Sequence, residues 1–134
     1  MKITLLQTDI KWCSPAENIA RAEKLILDAE KSDIYILPEM FSTGFCMEPE
    51  KIAEPVGGDA FSFMMLMAKR VNAAIVGSVA VEDNGSYYNR MYFCKPDGTF
   101  ETYDKHHLFT FSGEHKVYSP GSERVVVEFR GVRI

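Results

Sequence analysis

Two short apolar runs, Ile34–Leu37 and Ala73–Val81, constrain the fold more than any other feature of this chain. A strand with apolar residues on both faces needs cover on both faces, which is the habit of parallel strands in α/β folds. The segments around these runs read as helices. Ile19, Ala22, Ile26 and Ala29 recur at helical spacing, so Ala16–Lys31 is predicted as an amphipathic helix. Ser14 stands at its N-cap, Pro15 at the first helical position and Glu17 in the first turn. Gly57-Gly58-Asp59 opens a second helix, Ala60–Asn72, apolar on most sides through Phe61, Phe63, Met64, Met65, Leu66 and Met67. Lys2–Asp9 alternates as a strand should. Strand, helix, strand, helix, strand is the order of a sheet whose crossovers share one hand, so both helices are expected on one face.

Beyond Val81 the pattern changes. Asp83-Asn84-Gly85 is a turn, and Tyr87–Cys94 and Thr99–Asp104 flank the hairpin chemistry of Lys95-Pro96-Asp97-Gly98. Pro38–Pro55 and His106–Gly121 read as long loops. Arg124–Phe129 reads as a strand, Arg130-Gly131 as a tight turn, and Val132-Arg133-Ile134 as the start of another strand. No second layer closes the sheet, so the expectation is one domain interrupted inside its fold, exposing apolar surface that favours association. With 134 residues and a net charge of -4, and no basic stripe, nucleic acid is not an expected partner. No apolar stretch approaches the roughly 20 residues of a membrane span, and no signal-peptide pattern opens the chain. Cys13, Cys46 and Cys94 have no metal-like spacing and read as reduced thiols, which implies a cytoplasmic setting.

Three charged residues carry candidate chemistry. Glu39 follows the Ile34–Leu37 run at once and lies between Leu37-Pro38 and Met40-Phe41. An isolated glutamate at a strand end is usually just solvated, but desolvation there would tune the carboxyl toward general-base work. Lys105 ends the Thr99–Asp104 run among Tyr103, His107, Leu108 and Phe109. A surface lysine is the common case, whereas an enclosed ammonium can stabilise an oxyanion. Glu114, in Ser112-Gly113-Glu114-His115, gains interest only through Lys105, nine positions earlier. A metal cluster of His106, His107, His115, Glu114 and the cysteines is disfavoured, since adjacent histidines on a strand point to opposite faces and no ligand-spaced pair exists. Met64, Met65 and Met67 read as core filler, and Gly57-Gly58 lacks a phosphate-loop pattern.

Leu37-Pro38-Glu39-Met40-Phe41-Ser42-Thr43-Gly44-Phe45 resembles the general-base motif of the nitrilase superfamily, the carbon–nitrogen hydrolases. Tyr103-Asp104-Lys105-His106-His107-Leu108-Phe109 resembles its lysine motif, Gly113-Glu114-His115 its second conserved glutamate, and Lys2–Asp9 its first strand. The resemblance covers the whole chain and implies the N-terminal half of an α-β-β-α sandwich, lacking the C-terminal strands and helices. It implies Glu39 as base, Lys105 as oxyanion stabiliser and Glu114 as the group that orients Lys105 or the substrate amide. Phe45 and His107 are implied as substrate contacts, with no metal or organic cofactor. The Phe-Ser-Thr-Gly-Phe run and the Gly-Glu-His segment look most like the omega-amidase branch, which hydrolyses the terminal amide of small 2-oxo acids. The family's nucleophilic cysteine would lie just beyond Ile134, and Cys13, Cys46 and Cys94 stand in the wrong places to replace it. The isolated chain is therefore expected to be inactive, its parent enzyme a homodimer. The other reading is a catalytically dead module that binds a partner through its open sheet.

Overall fold

The computed structural model describes residues 1–134. In chain order the elements are β1 (Ile3–Leu5), α1 (Pro15–Asp28), β2 (Ile34–Ile36), α2 (Pro49–Ile52), β3 (Glu54–Pro55), α3 (Asp59–Val71), β4 (Ala74–Asp83), β5 (Ser86–Cys94), β6 (Phe100–Asp104), β7 (Glu128–Phe129) and β8 (Val132–Arg133). The main sheet runs β1-β2-β4-β5-β6, and β3 pairs with the far end of β4. β1, β2 and β4 are parallel, as the apolar runs imply, and β4, β5 and β6 form an antiparallel meander.

The two long helices, α1 and α3, lie on the same face of the sheet, as the strand–helix alternation requires. Ala22 and Ile26 of α1 and Ala60, Met64, Met67 and Ala68 of α3 pack with Ile75, Val79 and Val81 of β4 in the largest core cluster. The opposite face carries Ile34, Ala74, Val76 and Phe93, capped by Val127 and Phe129. Further along, Met40, Ala80 and Tyr118 form a third cluster on that side. Cover there is incomplete. On β1, Ile3 is 51% and Leu5 74% exposed, although both lie beside the apolar β2.

Several local expectations are corrected. β1 ends at Leu5 instead of running to Asp9: Leu6 still bonds Ile36, but β2 stops there, so the next residues have no partner. α1 ends at Asp28, short of Lys31, and the Ser14 hydroxyl makes no capping bond. The α3 start is capped from a distance instead: the Glu54 carboxylate accepts from the Ala60 and Phe61 amides at 2.9 and 3.2 Å. The segment 38–55 contains α2 and β3, and 106–121 contains two short 3-10 turns. Arg124–Phe129 is a strand only at Glu128–Phe129, which pairs with Val132–Arg133 in a separate two-stranded sheet. No helix is long and apolar enough to cross a membrane.

Candidate active site

The ladder between β2 and β4 explains why Glu39 projects. Leu37 N–H donates to the Val76 carbonyl at 2.7 Å, and pairing resumes where Phe41 N–H donates to the Ser78 carbonyl at 3.2 Å. Between them Pro38 has no amide to give, so the chain arches off the sheet. Met40 closes the arch with φ of +49°. A left-handed methionine costs roughly 1–2 kcal/mol. It is held by complete burial and by a 2.9 Å bond from its amide to Ser78 Oγ, while Gly44 N–H donates to its carbonyl at 2.8 Å. The side chain of Glu39 emerges at the apex.

Lys105 is placed by continuation of the β5–β6 ladder. Its amide donates to the Asn89 carbonyl at 3.0 Å, and the Lys105 carbonyl accepts from Gly121 N–H at 3.1 Å. Just before it, Arg90 grips Asp104 with two bonds of 2.7 and 2.9 Å, which fixes the end of β6. Gly121 sits so close that a Cβ there would meet the Asp104 carbonyl oxygen at 2.2 Å, so only glycine fits. Glu114 opens a 3-10 turn, Glu114–Lys116, after Gly113 at φ of +83°.

These three segments bring their charges to one point. Lys105 Nζ lies 2.8 Å from Glu39 Oε1 and 3.0 Å from Glu114 Oε2. Glu114 is fully buried, and three donors offset the cost of its desolvation: Lys105, the Asn89 amide at 3.1 Å and Phe109 N–H at 2.6 Å. Burial alone would lower the Lys105 pKa, but the hydrogen bonds and charges of Glu39 and Glu114 outweigh it and hold the ammonium above its ordinary range. The Phe45 ring lies 4.9 Å from Nζ, a cation–π contact. Glu39 departs from expectation. Its neighbours Met40 and Phe41 are buried, yet its carboxylate is 51% exposed, so ion pairing and not desolvation sets its surroundings.

The group that sequence reasoning missed is Asn89. It is buried, and its Nδ2 donates both to Glu39 Oε1 at 2.7 Å and to Glu114 Oε1 at 3.1 Å. Its backbone carbonyl accepts from the Lys105 amide as well, so one residue bonds both carboxylates and the backbone that carries the ammonium. The only clue in the sequence is an asparagine, a poor strand former, in the middle of Tyr87–Cys94. His107 is not part of this cluster. It is exposed, stacks edge-on to His106 at 4.5 Å, and lines a separate depression with Ser122, Glu123 and Arg124. The two histidines follow β6 and are not in a strand, which is why their rings meet and do not diverge. No group of three His, Cys, Asp or Glu side chains is arranged to hold a metal ion.

The cluster opens into a cleft of ≈ 280 Å³ on the sheet face opposite α1 and α3, where Glu39, Asn89 and Lys105 meet Ile36, Val76 and Met91. The floor is apolar, the wall is charged, and no cysteine lines it. Cys94 lies in the core on the helix side of the sheet, where burial pushes its thiol up to about 12.

Relatives share this fold. The carbon-nitrogen hydrolase family matches residues 2–134. The omega-amidase YafV of Yersinia enterocolitica is 40% identical over 134 residues, covering 100% of this chain and 52% of that protein. The 2-oxoglutaramate amidase of Bacillus subtilis is 38% identical, covering 98% of this chain and 52% of its own length. XC1258 from Xanthomonas campestris, a CN-hydrolase superfamily protein crystallised with an arsenic adduct in its active site, superposes with a TM-score of 0.95 at 39% identity, over 99% of this chain and 51% of that one. The chain thus spans about half the length of the relatives it matches. An α/β sheet with α1 and α3 on one face, a match along nearly the whole chain and this level of identity agree: the chain belongs to the carbon-nitrogen hydrolase family, the nitrilase superfamily.

Proposed function

We propose that residues 1–134 form the first half of a carbon–nitrogen hydrolase domain, and that they contribute base, cation and cation-holding carboxylate to an active site that hydrolyses small amides. The observation that carries this reading is the pairing of one ammonium with two carboxylates at the mouth of an apolar cleft. An ammonium has three N–H donors. Two of them serve Glu39 and Glu114, and the third is free for an oxyanion. Glu39 Oε1 accepts from both Lys105 and Asn89, while Oε2 makes no hydrogen bond within the chain and is the basic atom.

In the scheme, Glu39 Oε2 takes the proton of a cysteine thiol supplied by residues outside this sequence. The thiolate forms a C–S bond to the amide carbon as the carbonyl pair moves to oxygen. Lys105 holds that oxyanion. Collapse breaks the C–N bond, and Glu39 returns its proton to the departing ammonia. Water then attacks the thioester as Glu39 takes its proton, the C–S bond breaks, and Glu39 passes that proton to the departing cysteine thiolate as the acid leaves. Glu114 and Asn89 keep Lys105 and Glu39 in place, and Phe45 closes one side of the ammonium. The names of the relatives support a terminal amide of a small 2-oxo acid as substrate. The scheme uses no cofactor.

The test is ammonia release from 2-oxoglutaramate by a polypeptide extending this sequence to the length of its relatives. Turnover is expected there, and Glu39→Gln should abolish it. The 134-residue chain alone should release none, because no cysteine lines its cleft. Turnover by that chain alone, lost on Cys46→Ser, would overturn the scheme.

A further inference from the structure

Cys13 and Cys46 lie 33 positions apart, yet their sulfurs are 3.6 Å from each other. The contact is braced on both sides. Cys13 N–H donates to the Thr43 carbonyl at 2.8 Å. The buried Asn18 amide donates to the carbonyls of Lys11, at 2.6 Å, and Ser42, at 2.8 Å, so it clamps the segment before Cys13 to the segment before Cys46. The Trp12 ring fills the space over Gly44, where a Cβ would approach it to 2.9 Å. The two thiols differ in access: Cys13 is exposed and Cys46 is buried. A small reagent can therefore reach the first, and only the first can reach the second.

We propose that Cys13 and Cys46 form a reversible intrachain disulfide on exposure to a small-molecule disulfide. The deprotonated Cys13 sulfur attacks one sulfur of the reagent, and the other half leaves as a thiolate. The Cys46 thiolate then attacks the Cys13 sulfur and expels the second half. Two protein thiols are oxidised, and one small disulfide is reduced to two thiols. The sulfurs need only close from 3.6 Å to a bond of about 2.05 Å, a movement within reach of side-chain rotation. Desolvation and the neighbouring Cys46 hold the Cys13 thiol above its usual range, with Glu48 adding to this and Lys51 opposing it, so alkaline pH raises the thiolate fraction that attacks. The bridge would close the loop that carries Glu39 and tie down the residue after Phe45, whose ring touches Lys105.

The experiment treats the folded chain with oxidised glutathione at mildly alkaline pH, quenches by alkylation, and reads intact mass and tryptic peptides. In the wild-type chain and in Cys94→Ser, oxidation should remove two hydrogens and leave two fewer thiols alkylated than in the reduced control. The peptide Trp12–Arg21 should be joined to Ser32–Lys51, and dithiothreitol should separate them. Cys46→Ser should instead trap glutathione on Cys13. The link should form at least tenfold faster in the folded chain than in urea. A stable glutathione adduct on wild-type Cys13 with Cys46 still free would overturn the proposal. So would a link to Cys94, an unreactive Cys13, or equal rates in urea.

Discussion

Replacing Lys105 by Met keeps an unbranched apolar stem while removing the charge between Glu39 and Glu114 and, with it, the cation–π contact to Phe45. The two carboxylate oxygens lie 2.8 and 3.0 Å from Nζ, hence no farther apart than about 5.8 Å, the two distances laid end to end. At an effective dielectric of about 20, two unit charges at that separation repel by about 3 kcal/mol. Breaking a buried pair from one side costs about 3–5 kcal/mol, and here the Asn89 and Phe109 donors still serve Glu114, so the lower end applies. With about 2.1 cal/mol/K of unfolding entropy per residue, a loss of about 3 kcal/mol lowers Tm by about 10 °C at pH 7.5 for a chain of 134 residues. The sign of the pH dependence follows from which group is perturbed. In the wild-type chain the Lys105 pKa is raised on folding, so its contribution is complete below the ordinary lysine value of 10.5 and is lost only as pH rises through the folded value. It is therefore constant between pH 5 and about pH 8. In the Lys105→Met chain the repulsion is relieved by protonating one carboxyl, whose folded pKa rises. The deficit should therefore be largest near pH 8 and shrink by more than half near pH 5. Circular-dichroism melts across that range test this. A deficit under about 1 kcal/mol, or one that is the same at both ends, would show that the cation is not what holds the two carboxylates together.

Strand ends and charge singled out Glu39 and Lys105 as candidates, and it was the resemblance of their motifs to the nitrilase superfamily that joined them with Glu114 into one site. The apolar runs Ile34–Leu37 and Ala73–Val81 mark parallel strands wherever they occur, and Glu39 and Lys105 directly follow strand-like segments. What failed depended on partners distant in sequence. Lys2–Asp9 alternates to its end, but a strand is only as long as the edge it pairs with, and β2 stops at Ile36. Ser14 has the chemistry of a cap and does not cap, while Glu54 caps α3 from outside any capping motif. The exposure of the Glu39 carboxylate could not be read from its apolar neighbours, because the arch that buries Met40 and Phe41 turns Glu39 outward. Asn89 is the clearest case. Its role depends on the register that sets Asn89 opposite Ala80 and Arg90 opposite Asp104, which places Lys105 beside it.

Three further outcomes are expected. The Tyr92 hydroxyl is buried without a hydrogen-bond partner, the Arg90 guanidinium being engaged by Asp83 and Asp104, so Tyr92→Phe should leave Tm unchanged or raise it, and a loss above about 1 kcal/mol would reveal a partner. Ile3 and Leu5 expose apolar surface on an edge strand, so light scattering should show the chain associating as concentration rises, and Leu5→Lys should reduce this; unchanged association would place the contact elsewhere. The last outcome separates positioning from mere structure at Asn89. Leucine fills nearly the same volume but donates nothing, so Asn89→Leu removes a hydrogen bond from each carboxylate, worth about 1.5–3 kcal/mol for a charged acceptor. In the longer enzyme kcat should fall by about 10–100-fold with KM little changed, because the groups moved act on the reacting atoms and not on the bound substrate. A carboxylate that loses a donor holds its proton to higher pH, so the acid limb of the pH–rate profile should shift upward as Glu39 becomes harder to ionise. Asn89→Asp should be worse than Asn89→Leu, since a third carboxylate would compete for the one ammonium. A lowered kcat with an unmoved acid limb would mean that Asn89 supports the sheet alone, and that Lys105 by itself sets the state of Glu39.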